Sequence, residues 1–144
     1  MNVAFLFPGQ GSQVPGMLHT LPDHPTIART LDEVSETLKQ NVLQLDSPEA
    51  LRSTVSVQLA LLASGVAVAR TLIARGVVQG AVAGMSAGTF AAAVTAGVLE
   101  LVDGVRLLKA TFLRLGHIHH ELSTEGEGVT YAGTEQRYRG AQAG

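Results

Sequence analysis

The 144-residue chain has no cysteine. That absence excludes a disulfide framework, a thiolate zinc site and a cysteine nucleophile together. Charge is also scarce, at 15% of residues against about 25% in average soluble domains. Ten basic and twelve acidic residues leave a net charge of −2, so the electrostatic footprint of a nucleic-acid binder is missing and no nucleic-acid partner is expected. No basic segment precedes the first apolar run, Val3 to Phe7, and Pro8-Gly9 stops it at once. The opening reads as a strand, not a secretory signal, and a reducing, cytoplasmic setting is expected. Long hydrophobic runs are wanting as well. Ser53 to Ala69 is shorter than the ~20 residues of a membrane span and is closed by Arg70, while Gly76 to Leu99 is cut by Gly80, Gly84, Gly88 and Gly97. No membrane partner is therefore expected, and no internal repeat is visible.

What is present is a core. Apolar residues make up 46% of the chain, enough for one domain of ordinary size. Val3-Ala4-Phe5-Leu6-Phe7 is a short continuous apolar run of the kind covered on both faces in a parallel sheet. A helix is predicted to start near Asp23 or His24, because Pro25 suits an early helical position. Ile27, Leu31, Val34 and Leu38 then form one apolar stripe opposite Arg29, Asp32, Glu36 and Lys39. Ser47-Pro48 looks like another helix start. Thr54 to Arg75 reads as a long buried helix stopped by Gly76, Val77 to Ala83 as a second strand, and Thr89 to Ala96 and Leu101 to Leu115 as helices. The alternation predicts an α/β fold, with an incomplete parallel sheet flanked by helices. Residues 1–115 form the expected domain, partial because two strands are few for a sheet. Residues 116–144 hold six glycines and six charged residues, and a loop-like or disordered tail is expected there.

Gly84-Met85-Ser86-Ala87-Gly88 satisfies G-x-S-x-G where a predicted strand passes into a predicted helix, the context of a nucleophile elbow. Sixteen glycines and eight serines would produce the bare pattern about 0.1 times by chance, so the context carries the weight. Flanking glycines permit a sharp turn that projects the Ser86 hydroxyl, and the Ala87 N–H at the helix start would face a developing oxyanion. A second motif, Phe7-Pro8-Gly9-Gln10-Gly11-Ser12-Gln13, follows the first strand. Gly9 and Gly11 would bring backbone to the carboxyl edge of the sheet, and the Gln10 N–H is a candidate second oxyanion donor. A dinucleotide fingerprint fails because Val14 stands where the third glycine is needed.

These segments, with Thr54-Val55-Ser56-Val57-Gln58-Leu59-Ala60-Leu61-Leu62 and GMSAGTFAAAVTAGVLEL, resemble the malonyl-CoA:acyl carrier protein transacylase family over residues 1 to about 108. Within it, FLFPGQGSQVPGMLHTLPDHP and SAGTFAAAV are most similar to the branch serving as the epsilon subunit of malonate decarboxylase. The resemblance implies the N-terminal part of an acyltransferase domain, without a bound cofactor. Malonyl-CoA would be the substrate and the pantetheine-type thiol of an acyl carrier protein the acceptor, with other malonate decarboxylase subunits as further partners. It implies Ser86 as nucleophile, the Gln10 and Ala87 amides as oxyanion hole, and Gln58 as a polar orienting residue near the site, with Gly9 and Gly11 shaping the substrate loop.

The chain departs from the family pattern in four places. Met85 replaces the usual histidine before the nucleophile, Thr89 the usual glutamate, and Thr111 the arginine that would clamp the malonyl carboxylate; Arg106 and Arg114 lie a turn to either side. The family's catalytic histidine lies beyond residue 144. His117, His119 and His120 align with no motif, and their spacing matches no usual helical zinc pair, so no metal site is expected. His19 and His24 read as solvated or capping residues. A truncated or frame-disrupted form of a longer chain, or plain divergence with early termination, is the expectation, with impaired transfer activity. Two alternatives stay open: an inactive remnant or interaction domain, and a small α/β-type serine hydrolase using the same elbow. Arg52, Arg70, Arg75 and Arg106 are candidates for docking an acidic carrier protein.

Overall fold

A computed structural model describes residues 2–124, with side chains described through Arg114. Its element order is β1 (Asn2–Phe7), α1 (Pro25–Leu38), two 3-10 turns (Val42–Asp46 and Ala50–Arg52), α2 (Thr54–Ala74), β2 (Val78–Gly84), α3 (Gly88–Thr95) and α4 (Leu101–Thr124). A first compact unit ends at Leu113 and a second begins at Arg114. The α/β fold expected from the alternation is present. β1 and β2 pair in parallel from Asn2 opposite Val78 to Phe7 opposite Gly84, with one irregularity at Val3/Ala4. Parallel pairing requires a long crossover, and α1 and α2 supply it.

Local chemistry explains the helix ends. His24 sits in extended geometry and its Nδ1 accepts the Thr26 N–H at 3.2 Å, while Pro25 opens α1. The predicted stripe docks α1 through Ile27, Val34 and Leu38, joined by Thr30. Ser53 caps α2 by accepting the Ser56 N–H, and Gly76, at φ +91°, turns the chain out of it. Arg70 does not end α2; its guanidinium reaches Glu33 on α1 at 2.7 Å. The helix is thus longer than the run closed at Arg70, and at 21 residues is long and apolar enough to cross a bilayer. In the domain, 61% of its apolar window is buried, the environment of a core helix. The core centres on it: Leu59, Leu62, Ala63 and Val66 pack with Phe5 and Phe7 of β1, Val34 of α1, Ala91 of α3 and Leu101, Val105 and Leu108 of α4.

Three expectations change. β1 is not covered on both faces: Phe5 and Phe7 are buried, whereas Leu6 between them is 76% exposed, because the described helices pack on the Phe5 side only. Ser47-Pro48 does not start an α-helix. Ser47 ends one 3-10 turn, and its Oγ accepts the Ala50 N–H of the next. The tail is not irregular from residue 116: α4 continues to Thr124, so the backbone of His117, His119 and His120 is helical. The remainder, 125–144, lies outside the described residues.

Candidate active site

Residues 84–88 form a sharp turn between the end of β2 and the start of α3. Ser86 has φ +54°, a left-handed conformation that costs an L-residue with a Cβ about 1–2 kcal/mol. Several backbone bonds hold it. The Met85 N–H donates to Phe7 O at 3.0 Å, tying the turn to the end of β1, and the Gly88 N–H donates to Met85 O at 2.9 Å. The Ser86 carbonyl accepts twice from Thr89, from the N–H at 3.0 Å and from the hydroxyl at 2.6 Å.

The glycines are sterically required. A Cβ on Gly84 would overlap the Gly88 carbonyl, and one on Gly88 would overlap Phe7 O and stand 2.7 Å from Pro8 O. Backbone therefore packs against backbone on both sides of the serine, and the turn has little room to relax. Ser86 is exposed and Ala87 buried. Met85 is 67% exposed. A groove of about 240 Å³ lined by Leu6, Phe7, Ala83, Gly84 and Met85 runs beside the turn.

The loop after β1 comes to the same place. A Cβ on Gly9 would lie 2.9 Å from Met85 O and 3.1 Å from the Ser86 Cβ, so Gly9 is seated directly on the elbow. Gly11, at φ +111°, donates its N–H to the Gln13 side chain at 2.7 Å, and Ser12 Oγ donates to Gly9 O at 2.9 Å. The structure thus brings Gly9 and Ser86 into contact and ties Gln58 to the same loop. Gln58, 1% exposed on α2, donates from Nε2 to Gln10 Oε1 at 3.2 Å, and its own Oε1 has no partner among the described residues. Neither the Gln10 nor the Ala87 backbone N–H donates to a described protein group. Ala87 stands at the N-terminal cap of α3, where the helix dipole favours negative charge.

Other candidates fall elsewhere. His24 is spent capping α1, and His19 Nδ1 lies 3.1 Å from the buried carboxylate of Asp46. Among the described residues no histidine hydrogen-bonds Ser86 and no cluster of three His, Asp or Glu side chains could hold a metal ion. The side chains of His117, His119 and His120 lie outside the described residues. Thr111 is exposed on α4 with its hydroxyl donated to Leu107 O at 2.8 Å, and Arg106 leans toward Asp103 at 3.9 Å. Sequence reasoning noted Thr89 only as a departure and missed its bond to the Ser86 carbonyl; a hydroxyl residue in the first turn after the elbow was the available signal. It also missed Asp46, whose carboxylate accepts the Leu18 N–H at 2.7 Å and whose carbonyl accepts the Gly16 N–H at 3.0 Å, anchoring the loop that follows β1.

Comparison with known proteins places the same segments in context. Residues 4–142 match the family model described as "Acyl transferase domain". The chain is 36% identical over 135 residues to the malonyl CoA-acyl carrier protein transacylase of Bacillus subtilis (strain 168), covering 91% of this chain and 41% of that protein. The malonyl CoA-acyl carrier protein transacylase structure from Coxiella burnetii superposes with a TM-score of 0.73 at 36% identity, over 78% of this chain and 37% of that one. A type II polyketide acyl-carrier protein in complex with its malonyl-transacylase gives 0.71 at 35% identity, over 78% and 38%. The chain spans about two fifths of the length of these relatives.

Proposed function

The chain belongs to the acyl transferase domain family, and from that premise we propose that it carries the nucleophile half of a malonyl transacylase. The observation that carries this reading is Ser86, exposed and left-handed at a glycine-walled turn, with the Gly9 loop seated against it. Ser86 Oγ attacks the thioester carbonyl of malonyl-CoA. The new O–C bond forms first, giving a tetrahedral intermediate; its collapse breaks the C–S bond, and coenzyme A leaves as the thiol with the serine proton. The pantetheine-type thiol of an acyl carrier protein then attacks the seryl ester, returning the proton to Ser86. The N–H groups of Gln10 and Ala87 donate to the oxyanion of the tetrahedral intermediate, and Gln58 holds the Gln10 side chain. No resident cofactor takes part.

Three finer points belong to the same reading. Transfer is impaired, because no described histidine is bonded to Ser86 and a serine hydroxyl without a base is a weak nucleophile. The setting is cytoplasmic. Within the family the branch is that of the malonate decarboxylase epsilon subunit, on FLFPGQGSQVPGMLHTLPDHP and SAGTFAAAV, with residues 1–115 as the partial domain. Incubation with malonyl-CoA followed by intact-mass analysis tests the activity. Slow appearance of a malonyl adduct that is absent in Ser86→Ala and is discharged by a carrier-protein thiol is expected, since oxyanion donors alone leave residual catalysis. An adduct that persists in Ser86→Ala overturns the nucleophile assignment, and rapid turnover overturns the impairment.

A further inference from the structure

We propose that Thr89 is a positioning residue that aims the Ala87 N–H toward the Ser86 hydroxyl; the inference rests on the reading of that amide as an oxyanion donor. The argument begins with peptide geometry. The Ser86 carbonyl and the Ala87 N–H belong to one planar, trans unit, so they point in opposite directions and turn together. Whatever fixes the carbonyl fixes the amide. The carbonyl is fixed from one side by one residue: the Thr89 N–H at 3.0 Å and the Thr89 Oγ1 at 2.6 Å both end on Ser86 O. An N–H bond alone is what any helix start at this spacing offers. The short hydroxyl bond is particular to a Ser or Thr at position 89, and it resists rotation of the Ser86–Ala87 peptide unit that follows the left-handed Ser86.

Position 89 therefore contributes in this chain through a neutral donor. A carboxylate there has no proton to give to a carbonyl and cannot hold this peptide in the same way. Thr89 is exposed, so its hydroxyl has no packing role that would account for the contact.

The test compares Thr89→Val, which keeps the shape and β-branch but removes the donor, with Thr89→Ser, which keeps the donor. Two readouts are taken on each protein: amide hydrogen exchange at residue 89, and the rate of Ser86 labelling by a fluorophosphonate, followed by intact mass. Thr89→Val is expected to raise exchange at residue 89 about fivefold, the effect of one lost hydrogen bond of ordinary net strength, and to slow labelling about tenfold through a misaimed oxyanion donor. Thr89→Ser is expected to restore both, which generic loosening of the helix start would not do. Native exchange and labelling in Thr89→Val, or failure of Thr89→Ser to rescue, overturns the proposal while leaving Ser86 as nucleophile. Absence of Ser86 labelling in the unmodified chain overturns the nucleophile reading instead; the exchange ratio of the two variants then decides the aiming role alone.

Discussion

Gly9→Ala tests the contact between the two motifs most directly. The new Cβ would stand 2.9 Å from Met85 O and 3.1 Å from the Ser86 Cβ, where ordinary contacts begin at 3.4 Å. Loop and elbow must separate by about 0.5 Å to restore that distance to the carbonyl. Overpacking of this kind costs about 1–3 kcal/mol. Loss of a glycine from the unfolded chain returns about 0.4–1 kcal/mol, so a net destabilisation of about 1 kcal/mol is expected. Reactivity should suffer more than stability. A misplacement of about 1 Å costs on the order of a hundredfold in a positioned reaction. A shift of half that size, moving the Gln10 amide away from the reacting oxygen, should slow fluorophosphonate labelling of Ser86 about tenfold. Urea unfolding gives the stability change, and intact-mass time courses at low denaturant give the labelling rate of folded protein. Labelling within twofold of the unsubstituted chain, at unchanged stability, would refute the packing of Gly9 on Ser86 and with it the proposed role of the Gln10 amide.

Gly88→Ala places a Cβ into two carbonyls of the β1 exit, and should cost more than about 3 kcal/mol; a cooperative melt close to that of the native chain would contradict the close approach. Asp46→Ala strips the buried Leu18 N–H of its acceptor and should destabilise by about 2 kcal/mol, with Asp46→Asn milder; a change under about 0.5 kcal/mol in urea unfolding would show that the loop is anchored elsewhere. Leu62→Ala, in the fully buried centre of α2, should cost about 2–5 kcal/mol by the same measurement, and a smaller loss would mean that the core collapses onto the cavity. Ser86→Gly should stabilise by about 0.5–1 kcal/mol, the left-handed penalty less the extra unfolded-state entropy of glycine. Ser86→Ala should gain nothing, since alanine keeps the Cβ, and equal melts for the two variants would argue against strain at Ser86.

The parts of the fold legible in sequence are those where one residue type has one physical use. Pro25 opens α1 and Gly76 closes α2 because neither has another good place near those ends. The Ile27, Val34 and Leu38 stripe needs only the helical period. Gly84 and Gly88 were legible for the same reason: backbone approach at the elbow leaves no volume for a side chain. Less was readable where structure depends on partners distant in sequence. The 3-10 turn over Val42–Asp46 has no periodic signature and is set by the Asn41 side chain accepting the Leu43 N–H. Asp46 follows Leu45 in an apolar setting, and only the fold brings Leu18 and His19, 28 and 27 residues away, to its carboxylate. Leu6 misled because an apolar run records that a residue is fit for burial, not whether the described elements bury it. The helix past Leu115 was missed because glycine and polar content lowers local propensity, which a helix already nucleated at Leu101 can override.

The strain at Ser86 and the contacts around it form one argument. A left-handed serine relaxes unless the surrounding structure holds it on more than one side. Here the Met85 N–H is bonded to the end of β1, the Gly88 N–H to Met85 O, and the Ser86 carbonyl to Thr89 through two donors, while Gly9 closes the approach from the loop. Each restraint comes from backbone or from a residue within the same turn, except those reaching β1 and its loop. The geometry therefore depends on the register of β1 against β2, which sets Phe7 opposite Gly84. Slip that pairing by one residue and Phe7 no longer presents its carbonyl to Met85, and side chains along β1 exchange faces. The buried aromatic rings of Phe5 and Phe7 against α2 oppose such a slip. A core contact thus maintains the elbow turn, linking the packing of two phenylalanines to the backbone geometry of a serine they do not touch through hydrogen bonds.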